Sequence, residues 1–147
     1  MKRTICTEII EETISQKGIK YQAIADEIGK SLIWTTLALH GQATMDKTEA
    51  EKAAAFLGLG EDIAQSLQTF PNRGSLPEMP PTDPTQYRFY ELIQVYGSTL
   101  KAVINEKFGD GIMSAIDFTM DIEKVENPNG DRIKLTLDGK FLPYKKW

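Results

Sequence analysis

DPTQYRFYELIQVYGSTLKAVINEKFG, Asp83 to Gly109, is the stretch on which the fold turns. Asp83 suits an N-cap and Pro84 the first helical position, so the spacing predicts a helix from about Thr85 to Phe108, with Gly97 able to bend it and Gly109 to end it. Phe89, Leu92, Ile93, Tyr96, Leu100 and Val103 cover more than one stripe of such a helix. An apolar face this wide predicts burial on more than one side, by another subunit. Arg88 and Glu91 stand three residues apart on it and so share a face with Tyr87, Leu92 and Val95. On an ordinary surface helix that pair is solvated and worth under about 1 kcal/mol. Here the neighbours predict incomplete solvation, and a pair that has lost hydration is weak support for stability and invites a functional explanation.

Downstream the period changes. After GDG at 109–111, Ile116, Phe118, Met120 and Ile122 alternate with Asp117, Thr119, Asp121 and Glu123, the pattern of a strand with one buried face. PNG at 128–130 reads as a turn, RIKLTL alternates again, and Asp138-Gly139 reads as a second turn leading into KFLPY. The product is a small antiparallel sheet beside the long helix. Upstream, five of the seven prolines lie between Pro71 and Pro84, which favours extended and turn conformations. This seam divides the chain into residues 1–76 and 77–147. The first half carries eight basic and ten acidic residues and the second nine and eleven, so neither is a charged tail.

The first segment reads as short helices separated by glycines. TEIIEETISQKG places Ile9, Ile10 and Ile14 at helical spacing and stops at Gly18. YQAIADEIGKSLIWTTLALHG supplies two helices, with Gly29 at the turn and Ser31 capping the second. TMDKTEAEKAAAFLGL is rich in helix formers up to Gly58, and EDIAQSL gives a last short helix. The turn at Gly29 followed by a capped helix resembles the helix-turn-helix of DNA-binding domains. The second helix, however, opens with Leu32, Ile33 and Trp34 where base-reading side chains would stand, and the segment lacks a positive footprint. A bundle that uses the motif for packing or assembly fits better than a DNA-binding regulator with a C-terminal dimerisation module, which stays as the alternative. The fold class is therefore α+β, mostly α.

Composition narrows the chemistry. The 147 residues are 41% hydrophobic and 26% charged, the profile of a soluble globular protein, and the net charge of -4 disfavours nucleic acid and anionic membranes as partners. MKRTIC is followed by EIIEE rather than an apolar segment, which argues against a secretory signal, and no apolar run is long enough to span a bilayer. The single cysteine, Cys6, cannot form an intrachain disulfide and suits a reducing cytoplasm. With one histidine, His40, no histidine and cysteine metal cage can be built within a chain. Cys6 reads as a packing residue, His40 as a helix end, and Trp34 as a core or interface anchor.

DPTQYRFYELIQVYGSTLKAVINEKFGDGIMSAIDF, with LDGKFLP near the end, resembles the catalytic segment of the cyanase family, the bicarbonate-dependent cyanate hydratases. The N-terminal helices and proline seam resemble that family as well, so the likeness covers nearly the whole chain. The resemblance implies a helical N-terminal domain and a C-terminal catalytic and dimerisation domain that interlocks with its twin, five dimers making a decamer with sites at subunit interfaces. It implies that Arg88, Glu91 and Ser114 are catalytic, and that cyanate and bicarbonate yield ammonia and carbon dioxide by way of carbamate. Neither metal nor organic cofactor is implied, since bicarbonate is the cosubstrate. In that chemistry Arg88 suits anion binding because its planar fork stays charged. Glu91 suits either orienting that fork or assisting proton transfer. Ser114 suits donation from its hydroxyl rather than covalent attack, since no histidine base is in sight.

Overall fold

Cys6, Ile10 and Ile14 recur every four residues and are all buried, so α1 (Arg3–Lys17) turns one narrow apolar stripe inward. The helix stops at Gly18, whose φ of 62° is the left-handed conformation expected there. Four more helices follow: α2 (Tyr21–Ile28), α3 (Leu32–Leu39), α4 (Lys47–Leu57) and α5 (Glu61–Leu67). Their starts are encoded locally. The Ser31 side chain accepts from the Trp34 amide at 3.2 Å. Asp46 and Glu49 form a reciprocal capping box, with both bonds at 2.8 Å. Ile10, Ile24, Leu39, Met45, Leu57 and Leu67 fill the core these helices share. The computed structural model describes residues 1–147, which fall into two compact units, Met1–Ser75 and Leu76–Trp147.

Every residue of the buried apolar cluster belongs to the first unit. Ile10→Ala would leave a cavity at its centre, and the expected cost is about 2–5 kcal/mol of that unit's stability, read from its denaturant midpoint. A loss below about 1 kcal/mol would mean that Ile10 is not part of a close-packed core.

The second unit is built differently. Asp83 accepts from the amides of Thr85 and Gln86, both at 3.0 Å, and starts α6 (Pro84–Phe108). This 25-residue helix continues through Gly97 and ends at Gly109. Two long strands follow, β1 (Gly111–Val125) and β2 (Arg132–Pro143), paired antiparallel from Gly111 opposite Pro143 to Val125 opposite Arg132. The turn between them is held by the Asn127 side chain, which accepts from the Asn129 amide at 2.9 Å.

Two expectations are corrected here. Asp138-Gly139 is not a turn: β2 runs straight through it, and Gly139 pairs with Phe118 in mid-strand. The dipeptide is common in turns because glycine relieves steric conflict, but here the conflict is across the ladder. A Cβ on Gly139 would lie 2.5 Å from both Met113 Cγ and the Ser114 carbonyl oxygen. The strand beginning near Ile116 also starts five residues earlier, at Gly111, and within one chain its expected inner face is covered only in part: Phe118 and Met120 are half-buried, while Ile116 is 98% exposed.

No residue of α6 is buried, and the hairpin leaves Ile133 79% exposed. The helix meets the hairpin only near its carboxyl end, where Phe108 and Phe141 stack with ring centroids 5.4 Å apart. A lone helix and a two-stranded ribbon cannot enclose a core between them. Apolar surface on this scale marks an interaction face.

Candidate active site

Arg88 and Glu91 lie near the amino end of α6, brought to one face by their spacing. Arg88 Nη1 reaches Glu91 Oε2 at 3.4 Å, a single contact rather than a paired fork. Within one chain their side chains are 68% and 49% exposed. Tyr87 and Tyr90 stack beside it with centroids 5.8 Å apart, and Tyr90 Oη accepts from Gln94 Nε2 at 2.9 Å. The guanidinium therefore keeps most of its donors free.

Ser114 is the opposite case. It is 5% exposed on a hairpin whose residues are mostly open. The strand register breaks between Met113 and Phe118, where β1 carries five steps against two on β2 from Phe141 to Gly139. In that bulge Ser114 Oγ accepts from the amides of Ile116 at 3.1 Å and Asp117 at 3.0 Å. These two amide donors were missed in the sequence. A serine two and three residues ahead of unpaired strand amides is the signal that could have found them, because such hydroxyls commonly satisfy local backbone.

The structure does not bring Arg88 and Ser114 together within one chain. Met113 shares a cleft of about 310 Å³ with Ile104 and Phe108, at the carboxyl end of α6. Arg88 is sixteen residues before Ile104, which places it roughly 24 Å further along the helix axis. Neither strand packs along the body of the helix to close that gap.

Burial pushes the Arg3 guanidinium below its usual value, with Cys6 opposing, while its Nη2 caps the end of α3 by donating to the carbonyls of Ala38 at 2.6 Å and Ala43 at 3.1 Å. His40 is the C-cap of α3, its backbone N–H donating to the Thr36 carbonyl, and its Nε2 lies 2.9 Å from the Tyr21 hydroxyl. On the hairpin, the hydrogen bond and charge of Glu123 raise the Lys134 pKa. No cluster of three or more histidine, cysteine, aspartate or glutamate side chains has metal-binding geometry. No helix is long and apolar enough to cross a membrane.

The fold is α+β, a five-helix unit followed by a long helix and a two-stranded antiparallel hairpin, the class of fold found in a solved cyanase structure. The chain belongs to the cyanate hydratase, or cyanate lyase, family. The family's N-terminal model matches residues 3–71 and its cyanate lyase C-terminal model residues 78–146. The chain is 56% identical to the cyanate hydratase of Synechococcus sp. (strain CC9311), over 89% of this chain and 87% of that one. It is 49% identical to the cyanate hydratase of Albidiferax ferrireducens over the full length of both. The crystal structure of cyanase from T. urticae matches with a TM-score of 0.83 at 41% identity, covering 94% of this chain and 96% of that one. The DNA-binding alternative finds no support in these matches.

Proposed function

We propose that this protein is a bicarbonate-dependent cyanase that consumes cyanate in the cytoplasm, removing a toxic anion and releasing its nitrogen as ammonia. Cyanate, bicarbonate and one proton give carbamate and one carbon dioxide; carbamate takes a second proton and falls to ammonia and another carbon dioxide. No cofactor enters this scheme. Residues 1–76 form the helical domain, and residues 77–147 form the domain that assembles and catalyses.

The observation that carries the reading is the pairing of an open arginine fork with a sheltered serine hydroxyl on an arm that cannot bury itself. Both substrates are anions, and bringing them together costs electrostatic work unless fixed positive charge and donors offset it. Arg88 supplies the charge and a geometry that can hold carboxylate-like oxygens through two parallel N–H bonds. Glu91 contacts that fork at one edge, which supports a role in orienting it. Ser114 donates to the anion. A single Arg88 is little for two anions, and Arg88 and Ser114 are far apart along one chain, so the site is assembled from several subunits. Interlocked dimers joined as a decamer would cover the apolar faces of α6 and the hairpin and bring Arg88 of one copy to Ser114 of another.

The test is ammonia release from cyanate by the purified protein, with bicarbonate supplied or stripped by degassing. Release is expected with bicarbonate and is expected to fall to background without it. Undiminished release in bicarbonate-free buffer would replace bicarbonate with water as the attacking species. No release from a folded assembly would sink the enzyme reading.

A further inference from the structure

We propose that Gly139 is a positioning residue for the reaction, because its missing side chain seats the bulge that turns the Ser114 hydroxyl into a fixed donor. The inference rests on Ser114 acting in the cyanase reaction and deepens that reading. A serine oxygen has two acceptor sites and one proton. Both acceptor sites of Ser114 Oγ are taken by the amides of Ile116 and Asp117. What remains for a ligand is the O–H hydrogen. Two N–H donors also draw density from the oxygen, which weakens it as a nucleophile and strengthens it as a donor to an anion. The hydroxyl cannot rotate to offer a lone pair without leaving an amide unpaired in a sheltered site, which is costly.

This arrangement exists only while three surplus residues are packed into β1 between Met113 and Phe118. The excess chain folds over β2 at Gly139. There the Ser114 carbonyl and the Met113 Cγ occupy the place a Cβ would take, each 2.5 Å from it, with Met113 Sδ at 3.1 Å. One of those obstacles is backbone, so no change of rotamer relieves it. Any side chain at position 139 must push the Ser114 peptide away and shift the hydroxyl with it. Gly139 touches no substrate in this account; it acts through Ser114.

The experiment measures kcat of the wild type, Gly139→Ala, Ser114→Ala and the double variant, each checked for assembly by light scattering. Loss of one preorganised donor lowers kcat on the order of 10²-fold, the result expected for Ser114→Ala. Gly139→Ala is expected to lose at least about 10-fold, and the double variant to match Ser114→Ala alone, because residues acting as one unit are not additive. Losses that multiply in the double variant would overturn the proposal, since the glycine would then act by another route. Wild-type turnover in Gly139→Ala would overturn it too. Amide hydrogen exchange on the assembled protein gives an independent reading should Gly139→Ala not assemble. The Ile116 and Asp117 amides, which lie outside the strand ladder, should exchange slowly in the wild type and at least about 10-fold faster in Ser114→Ala. Fast exchange in the wild type would overturn the proposal. A wild type with protected amides and no cyanate turnover would instead refute the proposed function and leave the bulge standing.

Discussion

Arg88→Lys is expected to lower cyanate turnover by at least about 100-fold, equivalent to roughly 2.7 kcal/mol of transition-state stabilisation, while the assembly and its melting temperature are nearly unchanged. Net charge is conserved, so the effect isolates the shape of the cation. Lysine is a point charge with rotatable donors, whereas the guanidinium holds two oxygens in one plane and so fixes the separation and orientation of an anion. The stability side is small because the pair with Glu91 is a single 3.4 Å contact between side chains 68% and 49% exposed. Such pairs contribute under about 1 kcal/mol. A large loss of activity with little loss of stability therefore places Arg88 in the chemistry rather than in the fold. Activity and melting temperature measured on the same preparation decide it. Near-normal turnover in Arg88→Lys would remove the fork argument and leave only charge.

The elements were legible where local signals agree with packing. Asp83 and Pro84 announced α6 and Ser31 announced α3; Asp83 and Ser31 each make their cap hydrogen bond at the helix start, and Pro84 takes the first helical position. The width of the apolar face on α6 was also legible, and no residue of that helix is buried within one chain. The mid-strand role of Gly139 was not. Asp-Gly is a turn signal only when the chain reverses there, and whether it does depends on a partner strand more than twenty residues upstream. Gly111 to Met113 are strand because they pair with Phe141 to Pro143 of β2, and beyond them the bulge between Met113 and Phe118 interrupts the pleat, so no alternation marks the start of β1 in the sequence. Of the candidate site, spacing showed only that Arg88 and Glu91 share a helix face; the proposal of Arg88, Glu91 and Ser114 as a site came from the family resemblance. Their separation along the chain could not be read from spacing, since it depends on where the hairpin leaves the helix.

Mixing two inactive variants is expected to restore activity. Under the proposed roles, Arg88→Ala would lack the anion grip and Ser114→Ala a donor, so each should fall to near background as a homo-oligomer. If one site takes its arginine and its serine from different chains, co-expression in equal amounts leaves some sites with both residues intact. Random mixing of two chains per site gives up to about a quarter of wild-type turnover, and less if a site uses more than one Arg88. If both residues came from one chain, every site would carry a lesion and the mixture would stay inactive. The geometry favours the first outcome: Ser114 lies near the carboxyl end of α6, and Arg88 lies roughly 24 Å along the axis from it. No side chain spans that distance, and a hairpin that does not pack along the helix cannot carry the serine back. Merging the two variants into one chain, Arg88→Ala with Ser114→Ala, and co-expressing it with the wild type supplies the control. Both mixtures contain the same number of substitutions. Only in the control does a single chain type hold both intact residues, so restoration in the trans mixture reports sites built across subunits. Restoration would also link the exposed face of α6 to catalysis, since a subunit contact over that face would then bring the second chain's serine within reach.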